Sequence, residues 1–116
     1  METFKIEGGV PLKGEITPQG AKNEALQILC AVLLTPEKVT INNIPDIIDV
    51  NKLITLLKNL GVKVEKIGKG SYTFISDEVN MAYLESEAFK KEGSSLRGSI
   101  MIVGPLLARF GKGYIP

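Results

Sequence analysis

The sequence predicts a mixed α/β fold built from a βαβαββ unit, and three observations lead there. Short segments alternate polar and apolar residues with period two and stop at glycines or at Asn42-Asn43, as half-buried strands do. Two other segments are apolar on nearly every side, as deeply buried helices are. The second of these restarts the order begun by the first, which marks a weak internal repeat with one complete unit and the start of another.

Phe4 to Glu7 alternates and ends at Gly8-Gly9, and Leu12 to Thr17 repeats the pattern before Pro18-Gln19-Gly20, so the chain opens with two expected strands. From Ala25 to Leu34 every residue except Gln27 is apolar, and the following Thr35-Pro36 favours helix over strand for this buried segment. Lys38 to Ile41 is a short β-branched strand. A second helix then starts at Pro45 with Asp46 or Asp49 as cap; it carries Val50, Leu53, Ile54, Leu57 and Leu60 on one face and has Gly61 just beyond its end. Val62 to Ile67 and Tyr72 to Ile75 flank Gly68-Lys69-Gly70-Ser71, the signature of a hairpin. Asp77 to Lys91 is irregular and receives no element beyond a single helical turn. Gly93-Ser94-Ser95 is expected to cap a final apolar helix running to Phe110, kinked at Pro105 and closed by Gly111, before Tyr114-Ile115-Pro116 begins another strand. Two helices this apolar need neighbours that one unit does not supply, which points to a chain that is part of something larger.

Composition narrows the function. Against 13 Asp+Glu stand 14 Lys+Arg, a formal net charge of +1, so there is no basic excess to recommend nucleic acid as a partner. The longest apolar run, Ile28 to Leu34, falls far short of the ~20 residues a membrane span needs, and the charged amino terminus does not read as a signal peptide. A cytoplasmic protein is expected. With no His and with Cys30 as the single cysteine, the usual zinc, haem and Ser-His-Asp chemistries and an internal disulfide fall away.

Chemistry is then left to Lys, Arg, Asn, carboxylates or backbone. In Gly20-Ala21-Lys22-Asn23-Glu24 a cation stands where a helix dipole is already positive. Two readings are open: an anion shared by Lys22 and unpaired backbone N–H groups, or a solvated lysine offset by Glu24. Asn23 is equally a ligand donor or an N-cap. Arg97, in Ser94-Ser95-Leu96-Arg97-Gly98-Ser99, repeats the anomaly; it binds an anion, or pairs at the surface with Glu92 or Glu87. Arg109 lies in the last turn of its helix, where a cation complements the dipole, and Cys30 reads as an inert core residue. Asp46 and Asp49 read as caps, with a role at a ligand edge open to either.

The segments Gly20-Ala21-Lys22-Asn23, Asn43-Ile44-Pro45-Asp46, Leu60-Gly61-Val62-Lys63-Val64, Leu96-Arg97-Gly98-Ser99-Ile100 and Gly104-Pro105-Leu106-Leu107-Ala108-Arg109-Phe110-Gly111 carry a resemblance. In order and spacing they resemble the N-terminal part of the UDP-N-acetylglucosamine 1-carboxyvinyltransferase family. The resemblance implies an inside-out α/β barrel of βαβαββ units, with apolar helices inside and sheets outside. It implies that residues 1–20 pack on the other globular domain and that 21–116 form the first part of the N-terminal domain. It further implies transfer of enolpyruvyl from phosphoenolpyruvate to the 3′-hydroxyl of UDP-N-acetylglucosamine in early peptidoglycan synthesis, without metal or cofactor. On that basis Lys22 and Asn23 bind phosphoenolpyruvate, Arg97 binds UDP-N-acetylglucosamine, and the catalytic acid, a cysteine or an aspartate, lies on a loop just after Pro116. The 116 residues alone are then expected to be inactive. The sister enzyme acting on shikimate 3-phosphate differs in having a Gly-Ser-Lys-Ser type signature where Gly20-Ala21-Lys22-Asn23 stands here. A noncatalytic fragment that self-associates through strand edges and apolar helices is the rival from another class.

Overall fold

The computed structural model describes residues 2–115; Pro116, the last residue of the strand expected from Tyr114, lies outside them, as does Met1. Helix α1 (Lys22–Ala31) passes into a 3₁₀ turn (Val32–Leu34), followed by strand β1 (Lys38–Ile41) and helix α2 (Ile48–Asn59). Strands β2 (Lys63–Gly68) and β3 (Ser71–Ile75) come next, then a 3₁₀ turn (Met81–Glu85), helix α3 (Glu87–Ser94), a 3₁₀ segment (Arg97–Ile102) and helix α4 (Val103–Phe110).

The three strands form one antiparallel sheet in the order β1-β3-β2. Val39 and Val64 both register with Phe74, so the most buried residue of the sheet lies at its middle. The alternation that predicted the hairpin is what places Phe74 inward, and Gly70, with φ +70°, makes the turn. Helix α2 packs on β2, and α1, α3 and the later helical segments pack on α2 or on one another, burying Leu29, Leu33, Val50, Leu53, Leu57 and Ile102 in one apolar core. Among the described residues no helix is long and apolar enough to cross a membrane.

Several sequence expectations need correction. Residues 2–20 form no strand: Phe4, Ile6, Leu12 and Ile16 are each at least 88% exposed. Two short strands do not hold together alone in water, and no third strand of the described chain lies beside them. The radius of gyration, 17.5 Å, accordingly exceeds the roughly 13 Å of a compact domain of this length. Helix α1 starts three residues earlier than its apolar run and is covered on one side only; Leu26, Leu29 and Cys30 are buried, whereas Ile28 is 42% exposed and Leu34 50%.

Helix α2 opens without a side-chain cap, its Ncap position being Ile47, so neither Asp46 nor Asp49 serves as one. Gly61, with φ +102°, does end it as expected. The irregular stretch conceals α3, whose Ncap Ser86 accepts a hydrogen bond from the Phe89 amide at 3.1 Å. Ser94 and Ser95 cap nothing downstream; their hydroxyls donate back to the carbonyls of Lys91 and Glu92 and finish α3. The final apolar helix is therefore split. A 3₁₀ segment runs directly into α4, and Pro105 is the third residue of α4, within the first turn, where proline is tolerated, rather than in the helix interior. Tyr114 and Ile115 form no strand; the Tyr114 hydroxyl donates to Glu85 at 2.6 Å.

Candidate active site

Gly20 sets the position of α1. A Cβ at this residue would collide with the Asn43 carbonyl oxygen and lie 3.1 Å from Pro45 Cδ. Only glycine admits that approach, which brings the first turn of α1 against the loop leading into α2. Asn43, the one non-glycine residue with positive φ (+57°) among the described residues, bends that loop, and the Ile44 amide donates to the Gly70 carbonyl at 2.8 Å to tie it to the hairpin.

Lys22 is the first residue of α1, with no side-chain cap before it, and its Nζ lies 2.7 Å from Asp49 Oδ2 in the first turn of α2. The ammonium holds the Asp49 carboxyl below its ordinary range, first through their hydrogen bond and then through their opposite charges. The solvated lysine offset by Glu24 is not what forms: Lys22 is 51% exposed and paired with a residue 27 positions on. An open hollow of about 660 Å³ is lined by Lys22, Asp46, Ile47, Ile48, Asp49 and Asn51. A second, of about 480 Å³, shares Ile48 and Asn51 with it and extends to Glu92 and Ser95.

Asn23 is the second residue of α1, exposed, and not its N-cap, which is Ala21. Arg97 begins the 3₁₀ segment that packs on α1; a Cβ at the adjoining Gly98 would meet Leu26 Cδ1 at 3.2 Å, and Leu26 is one turn along α1 from Lys22. The arginine is exposed and makes no ion pair among the described residues. Its two candidate carboxylates are engaged elsewhere: Glu87 with Lys90 at 3.2 Å, and Glu92 with Asn59 at 2.7 Å and with the Tyr83 hydroxyl. Neither Asn23 nor Arg97 lines the hollow beside Lys22.

Two residues of the sequence analysis are structural. Arg109 Nη1 donates to the Leu33 carbonyl at 3.0 Å, and its guanidinium lies 4.7 Å from the Phe110 ring centroid. Cys30 is 2% exposed, and burial pushes its thiol up to about 12, which removes it as a nucleophile. What the sequence does not show is the pairing of Asp49 with Lys22; Asp49 itself stands out there as a cap or as a residue at a ligand edge. Among the described residues no cluster of His, Cys, Asp or Glu is arranged to hold a metal ion.

Comparison with known proteins agrees with this architecture. UDP-N-acetylglucosamine 1-carboxyvinyltransferase of Bacteroides fragilis is 62% identical over 99% of this chain and 26% of its own length. The Porphyromonas gingivalis protein of the same name is 53% identical over all of this chain and 27% of its own. The chain thus spans about a quarter of the curated relatives it matches. In fold it is similar to the enolpyruvyl transferase NikO from Streptomyces tendae, with a TM-score of 0.66 and 21% identity over 90% of this chain and 23% of that one. The family description EPSP synthase (3-phosphoshikimate 1-carboxyvinyltransferase) matches residues 6–115, and the chain belongs to that family.

Proposed function

We propose that the chain is the N-terminal part of an enzyme that transfers enolpyruvyl from phosphoenolpyruvate to the 3′-hydroxyl of UDP-N-acetylglucosamine and releases phosphate. The observation that carries this reading is the 62% identity, over 99% of the chain, to a relative named for that acceptor. On this reading Lys22 and Asn23 take phosphoenolpyruvate at the start of α1, where three backbone amides precede the first intrahelical bond, from Ala25 to Ala21. Arg97 takes UDP-N-acetylglucosamine. Cations in these places hold the phosphate and carboxylate of phosphoenolpyruvate and stabilise charge as the acceptor oxygen adds and phosphate then departs.

The rest of the assignment follows the same reading. Residues 1–20 pair with strands of a second globular domain, and 21–116 contribute the first βαβαββ unit of an inside-out barrel. Sequence beyond residue 116 supplies the general acid and covers Ile28, Leu34, Met101 and Leu107, each at least 42% exposed in this chain. The isolated 116 residues are accordingly inactive and self-associate through these faces.

Phosphate release by the complete protein tests the reading. With phosphoenolpyruvate, UDP-N-acetylglucosamine should support release and shikimate 3-phosphate should not. Release with shikimate 3-phosphate alone overturns it.

A further inference from the structure

Lys22 and Asp49 meet where two helices begin side by side. Lys22 is the first residue of α1 and Asp49 the second of α2, so each stands in the first turn of its helix, before the first intrahelical bond. A lysine here faces the positive end of its own helix and has many rotamers with which to escape into solvent. It instead reaches across to Asp49, whose carboxylate is favourably placed in the first turn of α2. The other carboxylate of the hollow, Asp46, accepts from Asn51 Nδ2 at 2.8 Å and pairs with no lysine among the described residues. Behind Lys22, the close approach of Gly20 to Asn43 and Pro45 fixes the backbone from which it extends.

We infer that Asp49 is a positioning residue for Lys22, holding its ammonium at the edge of the hollow so that an anionic substrate meets a cation already in place. The bond to Asp49 uses one of the three N–H donors of the ammonium and leaves two for the ligand. Both side chains stay partly open, 51% and 39% exposed, so a ligand reaches the pair without disrupting the core. The inference rests on the reading that Lys22 binds phosphoenolpyruvate. Ordering a long side chain in advance is worth about two- to tenfold in affinity.

Steady-state kinetics of the complete protein carrying Asp49→Asn or Asp49→Glu test this. Asp49→Asn keeps the shape of the side chain and removes its charge. The expected result is a KM for phosphoenolpyruvate raised about fivefold, a KM for UDP-N-acetylglucosamine within about twofold of wild type, and an unchanged melting temperature. Asp49→Glu, which keeps the charge, should recover most of the loss. An unchanged or lowered KM for phosphoenolpyruvate in Asp49→Asn, with wild-type turnover intact, overturns the role of Asp49 and leaves the function standing. Equal loss for both substrates, or a lowered melting temperature in both variants, likewise overturns it in favour of a structural role. Absence of turnover by the wild-type protein removes the functional reading, and the role of Asp49 with it.

Discussion

The α-carbon of Gly20 lies against the backbone carbonyl of Asn43 with no room for a side chain between them. That contact joins the start of α1 to the loop before α2, and it determines where Lys22 and Asp49 can meet. Gly20→Ala should therefore displace the first turn of α1, with a cost of about 1–3 kcal/mol typical of overpacking. Chemical denaturation of the variant measures the stability loss. Phosphoenolpyruvate affinity of the complete protein should fall along with it, because Lys22 is carried on the displaced turn.

This relationship also shows where the sequence was legible and where it was not. The β2–β3 hairpin and the buried face of α2 were readable because both rest on local periodicity and on glycines at turn positions. Lys22, Asn23 and Arg97 are marked by local charge placement and a family resemblance, and Asp49 by its place before the second helix, but the pairing of Lys22 with Asp49 is not. A pair 27 residues apart depends on how α1 docks on α2, and no period or motif encodes that. The helix boundaries failed for a related reason. Ser94 and Ser95 have cap chemistry, yet their hydroxyls can equally turn back to Lys91 and Glu92, and tertiary packing of the 3₁₀ segment on α1 decides between the two. The expected strands of residues 4–17 have correct alternation but join neither edge of the β1-β3-β2 sheet.

Cys30 should leave a signature in alkaline solution. Its folded pKa is raised from 9.0 to about 12 by desolvation, so above pH 9 the unfolded chain gives up a proton that the folded chain retains. Stability then falls as pH rises from 9 toward 12. Tyr83, raised from 10.0 to about 12, adds to the fall as pH nears 10, so Cys30→Ala should reduce the fall, most clearly just above pH 9, without abolishing it. Thiol alkylation followed by mass spectrometry gives a second check: Cys30 should react only when denaturant opens the core.

Glu92 ties α3 to α2 by accepting from Asn59 Nδ2 and, beside it, from the hydroxyl of Tyr83. Glu92→Ala leaves a part-buried phenol and an amide without their acceptor, at a cost of about 1–3 kcal/mol. A double-mutant cycle with Tyr83→Phe should show non-additivity of at least roughly 0.5 kcal/mol. Desolvation and then Glu92 push the Tyr83 hydroxyl up to about 12. Ultraviolet titration of Glu92→Ala should move its ionisation back toward 10.0, though not fully, since burial still contributes.

Three cations at helix ends should separate by phenotype. Lys22 and Arg97 stand at the starts of α1 and of the 3₁₀ segment, where the backbone offers donors and no compensation for positive charge. Arg109 stands in the last turn of α4, where the dipole welcomes it and the Leu33 carbonyl accepts its hydrogen bond. If the first two bind anionic substrates, each loses a charge-assisted interaction on truncation, worth about 10- to 100-fold in affinity. Lys22→Ala should thus raise the KM for phosphoenolpyruvate or depress kcat, and Arg97→Ala should weaken UDP-N-acetylglucosamine, with melting temperatures close to wild type. Arg109→Ala should do the reverse, lowering the melting temperature while leaving both substrate affinities within about twofold. Calorimetric titration of the three variants of the complete protein, paired with thermal melts, checks the separation. An Arg97→Ala variant that loses stability but not nucleotide-sugar affinity would place Arg97 with Arg109 as a packing residue.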